Sequence, residues 1–213
     1  MSDSIWSDGG RIQMPQYEKL TRIKKVDVTI VGGGLCGLLC AYFLKEAGVE
    51  CLLLEGSRIG SGTVRHAMAQ VTSQHGLIYS RLLETLGEEK ARMYFEANEL
   101  ALHKYRELAA SIDCDFEERS SYIYSRTDKE CIEREVRAAS LLGMKAEFCE
   151  TPELPFDTAG AVRFPNQAQF HPLKFVAAIA KNLNIYEHSP VREMTEYFAS
   201  VSYTHLRAHE TKA

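Results

Sequence analysis

Apolar residues near the start of the chain form two short β-type runs separated by a helical run. Residues 26–31 are largely β-branched, residues 35–47 are apolar on nearly every face, and residues 51–54 are wholly apolar. Gly48 follows the helical run at a position where glycine commonly ends a helix. Strand, helix and strand in this order predict a βαβ unit with parallel strands.

A glycine-rich turn joins the first strand to the helix. The residues that we assign to a dinucleotide site there are Gly32, Gly33, Gly34, Leu35, Cys36 and Gly37. Gly32 permits the tight turn, Gly34 lets the backbone approach a diphosphate, and Gly37 lets helix and strand pack closely. Glu55, which ends the second strand, is placed to accept hydrogen bonds from a ribose. The alternative is a tight turn that holds no ligand.

The stretch after Glu55 is again rich in glycine. Residues 56–63 contain small hydroxyls and glycines that permit close backbone approach to a second anion or a ring. Helical periodicity then covers residues 77–86 and 88–112, with Gly87 as a break between the two segments. The apolar stripe of the longer segment indicates packing against a core.

From residue 113 the pattern changes to short strands around one helix. The predicted β runs are 114–118, 121–125, 146–149 and 159–164, and the predicted helix is 128–142. A helix from Pro172 and a short strand over 184–187 follow. The predicted fold class is therefore α/β: a Rossmann-type βαβ domain with an inserted α+β domain, incomplete in this chain.

Composition narrows the classes of partner. The chain has 213 residues, 25% of them charged, and a net charge of −4. Its acidic balance and lack of a dense Lys/Arg patch argue against nucleic-acid binding. No apolar run approaches the roughly 18 residues of a membrane span, and the polar N-terminus does not resemble a signal peptide. A cytoplasmic location follows as an expectation.

The cysteines and histidines suggest no metal site. The six cysteines include no CxxC pair, so buried thiols are expected, with Cys36 and Cys40 as small core residues. His66 and His75 lie in or just after the second glycine-rich stretch and could approach a ligand. His205 and His209 have the spacing of a helical metal pair but no third ligand, so we predict no metal.

Three segments together resemble one family. IVGGGLCGLLCAYFLKEAGVECLLLE, RIGSGT and VTSQHGLIY resemble the D-amino-acid-oxidase-type FAD-dependent oxidoreductases, which include glycine, sarcosine and γ-glutamylputrescine oxidases. VTSQHGLIY and FPNQAQFHPLKF resemble a bacterial branch in which some members carry a C-terminal Rieske iron–sulfur domain. The chain departs from that branch at residues 67–70, where the branch usually has small hydroxyls and a lysine.

The resemblance implies FAD as the cofactor. It places the diphosphate at the glycine turn, the adenosine ribose at Glu55 and the phosphates near Gly62 and Thr63, and Gly56 is assigned to the cofactor site without a more specific role. It places Gln70, Val71 and Thr72 beside the flavin ring, and the backbone of Val191 at the adenine. No catalytic residue is assigned, because the family's substrate-framing residues come largely from sequence that would follow this chain.

The resemblance also implies an activity. Members of this family oxidise an amine or amino acid at its C–N bond, passing a hydride to flavin, so a small amine or amino-acid substrate is expected. Two alternatives remain open: an NAD(P)-dependent dehydrogenase with the same βαβ unit, and a non-catalytic nucleotide-binding fragment. A Rieske domain in a longer parent protein also remains open.

The sequence suggests that the chain ends early. Beyond Tyr197, the sequence that starts at Ala199, ASVSYTHLRAHETKA, has no β pattern and resembles translated adapter sequence, so we expect no packing role for it. The predicted segments are a leader (1–24), the FAD-binding domain (25–112), a partial substrate domain (113–165), a return to the FAD-binding domain (166–195) and a non-native tail (196–213).

Overall fold

The computed structural model describes residues 6, 12–150, 154–195 and 199–201. Two compact units divide the chain, one formed by Met1–Ala67 with Pro172–Ala213 and the other by Met68–His171. Residues 68–112, which the sequence grouped with the glycine turn, lie in the second unit. The assignment of one part of the chain to FAD binding and another to substrate binding remains a prediction.

Four α-helices and nine strands make up the regular structure of the described residues. In the first half they are β1 (Val28–Val31), α1 (Leu35–Glu46), β2 (Cys51–Leu54), β3 (Gln70–Val71) and α2 (Tyr79–Ala109). The remainder are β4 (Glu117–Ser125), α3 (Lys129–Leu141), β5 (Glu147–Cys149), β6 (Gly160–Gln169), α4 (Pro172–Ala180), β7 (Ile185–Tyr186), β8 (Val191–Met194) and β9 (Ala199–Val201).

A parallel sheet forms the centre of the first unit. Its strand order is β1-β2-β7, with Val28 opposite Cys51 and Leu53 opposite Ile185. All four residues of β2 are buried, whereas burial alternates along β1, where Val31 is 51% exposed. The predicted βαβ unit is confirmed, and β1 is an edge strand within the described residues.

Helix α1 is less buried than its apolar sequence predicts. Leu38 and Ala41 are buried against the sheet, but Cys36 and Cys40 are exposed. The prediction that these two cysteines are core residues is therefore wrong. The reason is that, in the described part of the chain, α1 packs on β1, β2 and α4, which cover only one of its faces. Partial desolvation raises the pKa of the Cys40 thiol, and the charge of Cys36 and a hydrogen bond with it raise that pKa further.

The second unit holds an antiparallel sheet. The long strand β6 pairs with β4 along one edge and with β3 and β5 along the other. Two predictions are corrected here. Residues 117–118 of the first predicted run and the run 121–125 belong to the single strand β4, with a bulge between Arg119 and Ser121, while residues 114–116 lie outside it; and β6 continues to Gln169. A bulge accommodates one extra residue without ending the strand, so β4 reads as two runs in the sequence.

Two helices of the second unit begin and bend where the sequence predicts. Gly87 has φ +79° and kinks α2, as expected from the break between its two periodic segments. Asp128 accepts a hydrogen bond from the Cys131 N–H at 2.9 Å and caps α3. On α3, Glu135 is fully buried and its carboxylate accepts from the Tyr79 and Ser80 N–H groups, at 2.7 and 2.9 Å. A side chain of α3 therefore caps the start of α2.

The chain forms a strand where the sequence predicted none. β9 pairs antiparallel with β8, and Val201 is buried against Leu20, Leu52, Leu54 and Tyr186. The prediction of no β structure after Tyr197 is wrong for residues 199–201. Residues 202–213 lie outside the described part of the chain, and their non-native origin remains a prediction.

The burial of Val201 makes a measurable prediction. We expect Val201→Ala to lower the free energy of unfolding by about 1–2 kcal/mol, because it removes two buried methyl groups. Urea denaturation measures the change. The neighbouring Ser200→Ala, at a half-buried position, is the control and should change it by less than about 0.5 kcal/mol. Equal midpoints for Val201→Ala and the unsubstituted chain would contradict the packing role.

Candidate nucleotide-binding site

The glycine turn leaves the start of α1 available to an anion. Gly32 has φ +106° and donates its N–H to the Leu54 carbonyl at 2.8 Å, which fixes the turn to β2. Gly34 is the N-cap of α1 in an extended conformation, and no side chain caps this helix. The first amides of a helix have no partner within the helix, so those that follow Gly34 can donate to a phosphate.

Space at the turn fits a diphosphate. A Cβ added at Gly34 would meet nothing within 4 Å, so the surface in front of the helix is open. At Gly37 an added Cβ would lie 2.0 Å from the Gly32 carbonyl oxygen. Helix α1 can therefore lie this close to the turn only because residue 37 is a glycine. An added Cβ at Gly33 would lie 2.8 Å from Cγ2 of Ile59. A larger side chain at position 33 would therefore need Ile59 to move, a packing contact that the sequence pattern does not predict.

Glu55 holds the turn as well as facing the site. One carboxylate oxygen accepts the Gly33 N–H at 2.7 Å and the other accepts the Ser57 N–H at 2.7 Å. Each oxygen retains a second lone pair, and the side chain is half-buried. A ribose hydroxyl could therefore be accepted without breaking either hydrogen bond.

The segment after β7 lies beside the end of β2. Ser189 donates its N–H to the Glu55 carbonyl at 2.8 Å, and His188 donates its N–H to the Ser57 carbonyl at 3.0 Å. A Cβ at Gly56 would be 3.5 Å from the Cβ of Pro190. Val191 follows directly and is partly buried against the cluster that includes Leu52 and Leu54. The first unit thus brings Gly56 and Val191 near Glu55.

Gly62 and Thr63 belong to the same unit as the glycine turn. Gly62 is the N-cap of a short 3₁₀ helix, Thr63–His66, and both residues are exposed. An added Cβ at Gly62 would meet nothing within 4 Å. The preceding loop touches the turn, since Gly60 donates its N–H to the Gly33 carbonyl at 3.2 Å.

A buried acid that the sequence analysis missed supports this loop. Glu187 is 1% exposed and its carboxylate accepts the Ile59 N–H at 2.9 Å and the Tyr17 N–H at 3.2 Å. Burial raises the pKa of the Tyr17 hydroxyl, and the charge of Glu187 raises it further. The signal in the sequence is an acid directly after the short apolar strand β7, where a solvated residue is otherwise expected.

The residues predicted beside the flavin lie in the second unit. Gln70 and Val71 form β3, with Gln70 exposed and Val71 buried opposite Ala168. Thr72 donates its hydroxyl to the Gln74 carbonyl at 2.7 Å. Their approach to a flavin ring remains a prediction.

The two sequence segments that resemble the bacterial branch contact each other. Gln167 accepts hydrogen bonds through Oε1 from the Ser73 N–H at 2.7 Å and from the Ser73 hydroxyl at 3.2 Å. Tyr79, fully buried, donates its hydroxyl to the Ser73 carbonyl. Burial raises the pKa of that phenol, with smaller contributions from Tyr94, Glu99 and Glu135. Much of VTSQHGLIY therefore stabilises the second unit.

The histidines are dispersed in the described part of the chain. His66 is exposed. The Nδ1 of His75 lies 2.7 Å from the Tyr94 hydroxyl oxygen, and the two groups form a hydrogen bond. Among residues 6, 12–150, 154–195 and 199–201 there is no group of three or more His, Cys, Asp or Glu side chains that could hold a metal. His205 and His209 lie outside these residues. No helix in the same residues is long and apolar enough to cross a membrane.

Known proteins match most of the chain. The sequence model described as DAO, FAD dependent oxidoreductase, matches residues 27–211. The Bacillus subtilis protein named Rieske 2Fe-2S iron-sulfur protein YhfW is 32% identical over 174 residues, covering 80% of this chain and 34% of that protein. The γ-glutamylputrescine oxidoreductase of Escherichia coli is 32% identical over 104 residues, covering 47% of this chain and 24% of that protein.

Solved structures share the fold. Glycine oxidase from Bacillus cereus matches with a TM-score of 0.57 and 23% identity, covering 80% of this chain and 48% of that chain. L-Amino acid deaminase from Proteus vulgaris matches with a TM-score of 0.65 and 20% identity, covering 88% of this chain and 46% of that chain. The chain thus spans between about a third and a half of the length of the first relatives and structures that it matches.

Proposed function

This chain belongs to the DAO family of FAD-dependent oxidoreductases, and on that premise we propose that it supplies the FAD-binding part of an enzyme that oxidises an amine or amino acid. Family membership confirms the resemblance drawn from the sequence, the α/β Rossmann-type fold class and FAD as the family's cofactor. The nicotinamide-dependent alternative is not favoured by any of these matches.

One observation carries the binding proposal: the open N-terminus of α1 above a turn in which Gly37 admits no Cβ. The amides after Gly34 would donate to the diphosphate, and the dipole of the 12-residue helix would favour its negative charge. Glu55 would accept the ribose hydroxyls while its contact with the Gly33 N–H keeps the turn in place. Val191 would present its backbone to the adenine.

The proposed reaction is oxidation at a C–N bond. FAD, when bound, supplies a flavin that takes a hydride from the carbon beside an amine nitrogen. The part played by the described residues is to bind and orient the cofactor, which lowers the entropic cost of bringing flavin and substrate together. Amine or amino-acid substrates are supported by the named activities of relatives such as γ-glutamylputrescine oxidoreductase and 4-methylaminobutanoate oxidase. No catalytic residue is proposed within this chain.

Glu55→Gln tests the nucleotide site. We expect FAD to bind about 10-fold more weakly, because one oxygen that accepts a backbone N–H becomes an amide donor and the charged acceptor for the ribose is lost. Quenching of flavin fluorescence on titration with FAD measures the affinity. Glu46→Gln, at an exposed position near the end of α1, is the control and should bind FAD as the unsubstituted protein does. Tight NADH binding without flavin binding would contradict the proposed function.

A further inference from the structure

A cavity of about 210 Å³ lies within the first unit, next to the glycine turn. Its lining includes Arg58 and Ser61 from the loop after Glu55, and Arg65 from the 3₁₀ helix. Trp6 and Met14 line it from the N-terminal segment.

Neither arginine has an acidic partner among the residues that the structure describes. Arg58 is exposed and Arg65 is half-buried. Neither forms an ion pair with a carboxylate of the described residues, whereas five arginines of the second unit do. A guanidinium presents a planar fork of N–H donors that matches phosphate and carboxylate oxygens. Two such groups on one cavity favour an anion.

Glu187, an acid in the cavity lining, already has hydrogen-bond partners. Glu187 also lines the cavity, but its two oxygens accept the backbone N–H groups of Ile59 and Tyr17. Those hydrogen bonds hold the carboxylate in the wall, where it is 1% exposed. Because this buried carboxylate is satisfied by backbone donors, the positive charge of the arginines is left for a ligand.

The position of the cavity indicates which anion it takes. Gly60 lines it and donates its N–H to the Gly33 carbonyl at 3.2 Å, so the cavity and the glycine turn share one loop. The side chain of Ile59, also in the lining, lies beneath Gly33. The helix amides that follow the glycine turn and the two arginines that line the cavity both suit phosphate oxygens, while Trp6 and Met14 offer apolar surface to the rest of the ligand.

We propose that Arg58 and Arg65 make this cavity a binding site for a phosphate group carried on an organic molecule. Two ligands could supply this phosphate group. One source is FAD itself, and for that source the inference rests on the proposed function. The other source is a separate phosphorylated ligand that binds beside the loaded cofactor. In both cases the guanidinium groups pair with phosphate oxygens, and binding weakens as salt concentration rises.

The double variant Arg58→Gln/Arg65→Gln tests the site with three probes: FAD, ADP and riboflavin, which has no phosphate. Isothermal titration at 50 mM and at 300 mM NaCl gives the affinities. We expect ADP to bind at least about 10-fold more weakly to the variant at low salt, with a smaller dependence on salt, and riboflavin to be unaffected. Arg22→Gln/Lys25→Gln, at exposed positions, removes the same charge and should leave all three affinities unchanged.

The probes distinguish the two sources and the proposed function. If the double variant loses affinity for FAD as well as for ADP, and ADP competes with FAD, the arginines bind the phosphates of the cofactor. An unchanged FAD affinity, with ADP binding to the FAD-loaded protein only when the arginines are present, assigns them to a separate ligand. Equal ADP and FAD affinities in the variant and the unsubstituted protein would overturn the inference and leave the proposed function standing. Failure of the unsubstituted protein to bind FAD would overturn the proposed function.

The fold of the variant is checked by circular dichroism. Arg58→Gln alone, at an exposed position, is the second variant, and it should weaken ADP binding by a smaller factor than the double substitution. Arg58→Lys/Arg65→Lys keeps the charge without the planar fork and should recover part of the affinity. Identical ADP binding by the lysine and glutamine double variants would contradict a role for positive charge.

Discussion

Gly37→Ala should abolish FAD binding. The new Cβ would lie 2.0 Å from the Gly32 carbonyl oxygen and 3.2 Å from its carbon. Both atoms belong to the backbone, so no side chain can rotate to relieve the clash, and the helix must move away from the turn. The amides that would face the diphosphate then lose their alignment, and interactions of that kind depend steeply on geometry.

Titration of FAD against the variant, followed by flavin fluorescence, measures the loss, and thermal unfolding shows how much of it is general destabilisation. Gly48→Ala is the matched control. It also places a Cβ on a glycine of this βαβ unit, with φ +76°, but nothing lies within 4 Å of the new atom. It should cost about 1–2 kcal/mol of backbone strain and retain FAD binding. If Gly37→Ala bound FAD as well as Gly48→Ala does, the assignment of the glycine turn to the FAD diphosphate would be contradicted.

Glu135→Gln should destabilise the protein by about 2–3 kcal/mol, since one buried acceptor becomes a donor that faces a backbone N–H. Glu135 is fully buried on α3, and its two oxygens accept the first amides of α2, from Tyr79 and Ser80. The substitution preserves volume and leaves one of these N–H groups opposite an amide N–H. The charge that stabilises the positive end of α2 is also lost.

Chemical denaturation monitored by far-UV circular dichroism measures this effect. Glu130→Gln, on the exposed face of the same helix, is the control and should change the free energy of unfolding by less than about 0.5 kcal/mol. If both substitutions had the same small effect, the carboxylate of Glu135 would not be the cap that the geometry indicates. Flavin affinity per folded molecule should stay unchanged in both variants.

Local signals in the sequence predicted the βαβ unit well. The β-branched run, the glycine turn and Gly48 together specify strand, helix and helix end, and each of these choices depends on residues close together in the chain. The kink at Gly87 and the start of α3 next to Asp128 were readable for the same reason. The glycine turn could be assigned because its spacing has a direct steric meaning, which the contact between Gly37 and Gly32 illustrates.

Features that depend on distant partners could not be read in this way. Glu187 contacts Tyr17 and Ile59, which lie 170 and 128 residues earlier in the chain, so no local pattern identifies its role. Strand β9 is short, and it becomes a strand through pairing with β8 and the burial of Val201. The exposure of Cys36 and Cys40 likewise depends on which elements cover α1, and the composition of the helix does not specify that.

The discontinuous first unit has a consequence for synthesis on the ribosome. β1, α1 and β2 emerge early, but β7 and Glu187 follow only after the whole of Met68–His171 has been translated. At roughly 5–20 residues per second, the loop at Ile59 waits about 6–30 s for the carboxylate that holds its backbone. During that interval β2 lacks its second neighbour, so one of its edges stays unpaired until β7 has been made.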